Sequence, residues 1–141
     1  MQMTESPKRV LLAEDNPVNQ EVARCILESL GYEVDVAPDG RAAVEAFSRN
    51  SYVLILMDCQ MPEVDGYEAT RFIREIEASQ SISYAPHPPG RVPIIALTGF
   101  ATAEEKARCL QVGMDDLLGK PFTIFHLQNA MERWLAVSKP R

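Results

Sequence analysis

Short apolar runs alternate along the chain with longer segments whose apolar residues recur every three or four positions, and nothing else in the sequence narrows the fold as far. The runs VLLA, VLILM and VPIIAL contain no hydrophilic residue. A strand of that kind has no face it can show to water, so it must be covered on both sides. Helices supply the cover. The alternation therefore predicts an α/β domain, a doubly wound parallel sheet of about five strands with right-handed crossovers and helices on both faces.

The first strand is expected at Val10 to Ala13, followed by a helix capped by Asn16 with Pro17 at its first position and closed by Gly31. Val18, Val22, Cys25 and Ile26 are expected on the inward face of that helix. A short strand near Val34 to Val36 leads to a helix opened by Asp39, with Ala43, Val44 and Phe47 inward. The third strand is Val53 to Met57. Asp65 and Glu68 suggest a capping-box start for the third helix, which carries Phe72, Ile73 and Ile76 at helical spacing. A strand at Val92 to Leu97 is followed by a helix with a Thr102 and Glu105 capping box, closed by Gly113. A strand at Asp116 to Leu118 then precedes a last helix from about Thr123, with Ile124, Leu127, Met131, Trp134 and Leu135 on its buried side. The segment 78–91, ASQSISYAPHPPGR, is longer than an ordinary connection and reads as a surface insertion in which His87 is a solvated loop histidine.

A length of 141 residues suits one domain, expected at 8–136 between an extension at 1–7 and a tail or linker at 137–141. The net charge of -6 argues against a surface built to neutralise nucleic-acid phosphates. No apolar run has the length of a membrane span or a signal peptide, so a soluble, cytoplasmic domain is expected. Cys25, Cys59 and Cys109 have neither disulfide-framework nor zinc-site spacing and read as small apolar fillers in a reducing compartment.

Residues able to do chemistry stand at the ends of four apolar strands: Glu14 and Asp15, Asp58, Thr98 and Lys120. In an open parallel sheet the carboxyl ends of the strands line one crevice, so these positions converge. Three clustered carboxylates repel one another unless a cation sits among them, and an all-oxygen set suits a hard ion such as Mg²⁺. Asp15 and Asp58 are the expected direct ligands, with Glu14 acting through water and the backbone carbonyl of Gln60 taking a further position. The chemistry that fits is phosphoryl transfer to a carboxylate, with Asp58 as nucleophile and Lys120 and Thr98 cradling the phosphoryl oxygens. Gly99 leaves room for the group, while Gln60 and Phe100 flank it.

The segments VLLAEDNPVNQ, LILMDCQMPEVDGYEATRFIR, PIIALTG and GMDDLLGKPF, in this order, resemble the receiver domains of two-component response regulators over about residues 8 to 136. That resemblance implies the flavodoxin-like strand order 2-1-3-4-5. It makes Glu14 and Asp15 the acidic pair, Asp58 the phosphorylation site, Thr98 the switch hydroxyl and Lys120 the lysine that precedes a cis bond to Pro121. The implied donor is a phosphohistidine on a histidine kinase or histidine phosphotransfer protein. EDNPVNQ and MDCQMPEVDG look most like receivers of hybrid sensor histidine kinases, and a stand-alone regulator can share them; either way the resemblance implies a phosphoacceptor signalling domain, not an enzyme in its own right. Leu117 departs from the pattern, standing three residues before the lysine where relatives place Tyr or Phe, and is expected to pack in the core.

Two rivals use similar parts. A phosphatase of the haloacid dehalogenase type needs an Asp two residues after its nucleophile, where this chain has Gln60. A flavin or nucleotide binder needs a Gly-rich phosphate loop after a strand, and none follows any of the apolar runs. A pseudo-receiver, acting only as an interaction module, would not need the whole set of Glu14, Asp15, Asp58, Thr98 and Lys120.

Overall fold

The computed structural model describes residues 8–79 and 91–136. The extension at 1–7, the tail at 137–141 and most of the 78–91 segment, including His87, lie outside the described residues. Strands β1 (Arg9–Ala13), β2 (Glu33–Ala37), β3 (Leu54–Asp58), β4 (Ile94–Thr98) and β5 (Asp116–Gly119) alternate with helices α1 (Pro17–Ser29), α2 (Gly40–Arg49), α3 (Gly66–Ser79), α4 (Ala103–Val112) and α5 (Ile124–Ala136). All strand pairs are parallel, in the order β2-β1-β3-β4-β5. The register aligns Leu12 with Leu56, and Met57 with Ala96.

Alternation of side chains along each strand sorts the core into two halves. Leu11, Ile55, Met57, Ile94 and Ala96 face α2, α3 and α4, where they meet Phe47, Ile73 and Cys109. Val10, Leu12, Leu54, Leu56, Ile95 and Leu97 face α1 and α5, where they meet Ala23, Leu27, Leu127 and Met131. Every residue of β3 and β4 is buried, which explains why those strands read as continuous apolar runs.

The helix signals hold at several termini. Asn16 Oδ1 accepts from the amides of Val18 and Asn19, and Asp39 Oδ1 accepts from Ala42 N. Gly113 ends α4 at φ 111°, a left-handed conformation that a side chain would strain. The Thr102 capping box forms by half. Thr102 Oγ1 accepts from Glu105 N, while the Glu105 carboxylate turns to the Tyr67 hydroxyl on α3.

The inward face expected for α1 is corrected. Ala23 and Leu27 are its buried residues, whereas Val18 is 69% and Val22 49% exposed and Cys25 is exposed, so Cys25 is no core filler. One residue turns a helix by about 100°, and the small Ala23 takes the sheet-facing stripe that the larger valines were expected to fill. Phe72 and Ile124 likewise stand out from the surface, while Ile73 and Leu127 are buried.

Asp116 ties the last strand to the helices on both sides. Its carboxylate accepts from Trp134 Nε1 at 2.8 Å, Arg133 at 3.1 Å and its neighbour's amide, Leu117 N, at 2.8 Å, and pairs with Lys106 at 3.7 Å. Burial works to raise its pKa, but the Trp134 and Leu117 donors and the two cations outweigh burial and hold it below the ordinary carboxylate range. Asp116→Ala should therefore cost about 1–3 kcal/mol at pH 7 in urea unfolding. Because the folded-state pKa is depressed, the carboxylate's contribution is present above about pH 4 and lost as pH falls through the folded pKa, so parent and variant should converge in acid. An unchanged gap at pH 2 would assign the effect to packing instead.

Candidate functional site

The carboxyl ends of β1, β3, β4 and β5 meet at one edge of the sheet. Glu14 and Asp15 directly follow β1, Asp58 is the last residue of β3, Thr98 the last of β4, and Lys120 directly follows β5. Strands β1, β3 and β4 are neighbours in the sheet, so these residues converge although up to 106 positions separate them. Carboxylate oxygens of Glu14, Asp15 and Asp58 lie within 4.8 Å of one another. Lys120 Nζ reaches Asp58 Oδ1 at 3.2 Å and Glu14 Oε1 at 3.4 Å, bridging the two buried acids.

Backbone groups help to hold Glu14, Asp58, Thr98 and Lys120 in place. Asp58 Oδ1 also accepts from Gln60 N at 3.1 Å. Glu14 Oε2 accepts from Asn16 N and Asn19 Nδ2, and Gln20 Nε2 donates to the Glu14 carbonyl at 2.6 Å. Thr98 Oγ1 accepts from Phe100 N at 3.1 Å, which leaves its hydroxyl proton available, and the Thr98 carbonyl accepts from Lys120 N at 2.7 Å. The Lys120-Pro121 bond is cis. Asp15 is exposed, so the cluster has one open side.

Burial pushes the Asp58 carboxyl up to about 6, with the Glu14 charge adding to it and the Gln60 amide and Lys120 opposing it. Lys120 is the single cation paired with Asp58 and Glu14 among the described residues, and one ammonium does not neutralise three carboxylates.

A cavity of about 570 Å³ opens beside Asp15 and is lined by Cys59, Gln60, Tyr67 and Phe100. Phe100 is 63% exposed, so it stands at the mouth of the cavity and not in the core. An added Cβ at Gly99 would meet no atom within 4 Å, consistent with open space there. Leu117 is partly buried against the α2, α3 and α4 side of the core.

Three supports went unread in the sequence. Asn19 and Gln20 look like ordinary helix-surface residues, yet both bond to Glu14. Gly66 stands at the start of α3, where a Cβ would come 2.2 Å from the Asp58 carbonyl and 2.9 Å from the Cys59 Cα. The Asp-Gly pair at 65 and 66 signals only a turn, because the close approach to β3 comes from a non-local contact.

The family described as response regulator receiver domain matches residues 10–132. The chain belongs to that family. This receiver domain is 47% identical over 119 residues, 84% of its length, to a hybrid signal transduction histidine kinase B of Dictyostelium discoideum, of which it spans 6%. It is 42% identical over 134 residues, 94% of its length, to the sensor protein GacS of Pseudomonas syringae pv. syringae, of which it spans 14%. Among solved structures it resembles the receiver domain of sensor histidine kinase PA1611 from Pseudomonas aeruginosa, with 45% identity and a TM-score of 0.77 over 93% of this chain and 99% of that one. That crystal structure has a magnesium ion coordinated in its active-site cleft. The receiver domain of Saccharomyces cerevisiae Ssk1, crystallised with the histidine phosphotransfer protein Ypd1, is 31% identical with a TM-score of 0.81, over 93% of this chain and 90% of that one.

Two predictions come from the geometry. A raised Asp58 pKa makes its ionisation unfavourable to the folded state, a cost complete above about pH 6 and absent below about pH 4. Without divalent cations, Asp58→Asn should accordingly be more stable than the parent by roughly 1–3 kcal/mol at pH 8, the gain fading as pH falls to 4. Urea midpoints across that range check this, and a gain that grows in acid would reverse the sign. Gly66→Ala should cost about 1–3 kcal/mol by overpacking against β3. A melting temperature equal to the parent's would show that the start of α3 shifts freely.

Proposed function

We propose that Asp58 accepts a phosphoryl group from a phosphohistidine on a histidine kinase or histidine phosphotransfer protein. The observation that carries this reading is a buried carboxylate at the end of β3, bonded to Lys120 and the Gln60 amide through Oδ1. Its Oδ2 receives no hydrogen bond among the described residues and is the attacking atom. The oxygen–phosphorus bond forms at Oδ2, the nitrogen–phosphorus bond of the donor breaks, and the imidazole nitrogen keeps the electron pair. Lys120 offers a charge-assisted bond to a phosphoryl oxygen and Thr98 a hydroxyl proton to another. Transfer and later loss to water then need no further catalytic residue from this chain.

Glu14, Asp15, Asp58 and the backbone carbonyl of Gln60 fit a hard divalent cation such as Mg²⁺, because the side chains offer only oxygen donors and carry more negative charge than Lys120 offsets. When bound, the ion supplies positive charge against the phosphoryl oxygens. The site as a whole serves to switch or relay a signal, in a domain bounded at 8–136 and working in the cytoplasm. No described helix is long and apolar enough to cross a membrane. Similarity to a hybrid histidine kinase and a sensor protein supports a place in a phosphorelay, as a stand-alone regulator or as the receiver part of a hybrid kinase.

Donor access has a structural basis. Exposed Val22 lines a groove with Glu14, Lys120 and Phe122, an apolar residue beside two members of the site. A protein donor docking there brings its phosphohistidine to Asp58.

Acetyl phosphate with Mg²⁺ should add one phosphoryl mass to the parent and none to Asp58→Asn, and undiminished labelling of the variant would reassign the acceptor. Asp15→Ala should weaken Mg²⁺ binding at least tenfold in a titration followed by amide shifts. Val22→Glu should slow transfer from a phosphotransfer protein about tenfold or more while leaving acetyl phosphate labelling near the parent's. Equal slowing by both donors would place Val22 in the site itself. Phe100→Ala should shorten the phosphoryl lifetime by opening the cavity mouth to water, with loading unchanged, and equal lifetimes would show that Phe100 does not screen the acyl phosphate.

A further inference from the structure

Cys59 and Cys109 are 50 residues apart and both buried, yet their sulfurs lie 4.0 Å from each other. Cys59 follows Asp58 directly, and Cys109 belongs to the second half of α4. The two thiols are free. Cys59 also forms part of the wall of the 570 Å³ cavity, which opens to solvent beside Gln60 and Phe100. A small oxidant entering the cavity therefore meets Cys59 first, with Cys109 behind it at van der Waals contact. Glu105 Oε2, which accepts from the Tyr67 hydroxyl, is 3.8 Å from the Cys109 sulfur.

We propose that Cys59 and Cys109 form a reversible disulfide when the protein meets hydrogen peroxide. The Cys59 sulfur attacks one peroxide oxygen, the oxygen–oxygen bond breaks, and a sulfenic acid and one water result. The Cys109 sulfur then displaces the sulfenic hydroxyl, the sulfur–sulfur bond forms, and a second water leaves with the Cys109 proton, which Glu105 is placed to carry. Two thiols and one peroxide thus give one disulfide and two waters. Closing the pair needs the sulfurs, now 4.0 Å apart, to approach by about 2 Å. Burial keeps both thiols in their protonated form, so the reaction is slow compared with that of a catalytic thiolate. The bond would pin α4 to the residue beside the phosphoacceptor.

The test is peptide mapping of the full 141-residue chain under non-reducing conditions, after hydrogen peroxide treatment and alkylation in denaturant. The expected result is a linked pair of peptides carrying Cys59 and Cys109, lighter by two hydrogens, that dithiothreitol separates. Exposed Cys25 should be absent from the pair. The link should disappear in Cys59→Ser and in Cys109→Ser and persist in Cys25→Ser; the map of the parent stands by itself if a serine variant fails to fold. Full alkylation of Cys59 and Cys109 after peroxide, a dominant link through Cys25, or conversion of Cys59 to sulfinic acid without linkage would each overturn the proposal. Protection of both thiols by zinc but no linkage by peroxide would overturn it in favour of a metal site on Cys59, Glu105 and Cys109.

Discussion

The two central strands β3 and β4 have no polar face. Buried at every residue and covered by helices on both sides, they admit a charged side chain only at a strand end, where the chain leaves the hydrogen-bonded ladder. The strands are parallel, so their carboxyl ends lie together, and the polar residues at those ends meet. The acids, the threonine and the lysine are gathered because the apolar ladder behind them admits nothing else. Asp58 shows the limit of this arrangement, since it is the last residue of a strand whose other members are apolar.

Concentrating charge in this way works against folding stability. Glu14 and Asp58 are both buried, and the Asp58 carboxyl is raised mainly by the loss of water around it. Lys120 offsets part of that cost by bridging both acids, and the amides of Asn16 and Gln60 offset more. The residual imbalance leaves negative charge gathered at this edge of the sheet. Away from the site the same fold satisfies its buried charge: Asp116 has two cations and the Trp134 indole around it, and its pKa is lowered where that of Asp58 is raised. Two buried carboxylates thus diverge according to the donors that surround them.

Helices α3 and α4 couple the surroundings of the site more closely than capping rules suggest. Glu105 has the position of a capping-box residue, yet its carboxylate bonds to Tyr67, and Arg108 stacks over the Tyr67 ring at 3.9 Å. A cross-helix partner in a partly buried setting wins over a local amide at an exposed helix start. The same contact brings Cys109 against Cys59, a proximity that spacing in the sequence conceals. Arg74 adds a second tie, donating to the Gly113 and Val92 carbonyls and pairing with Glu77 and Asp115.

Local chemistry determined much of this protein from the sequence alone. Apolar runs of strand length demanded a covered parallel sheet, Asn16, Asp39, Thr102 and Gly113 marked helix ends, and Glu14, Asp15, Asp58, Thr98 and Lys120 stood at four strand ends that meet at one edge of the sheet. These features depend on neighbours within a few residues or on a two-residue period, so the sequence displays them directly. The tertiary structure decided what depends on contact between distant segments. It turned Val18 and Val22 outward because Ala23 lets α1 lie against the sheet, and it required glycine at 66 because α3 starts against the β3 backbone. It also raised Asp58 while lowering Asp116. Helix phase, close backbone approach and desolvation are set by what lies across the core, and no window of adjacent residues contains that information.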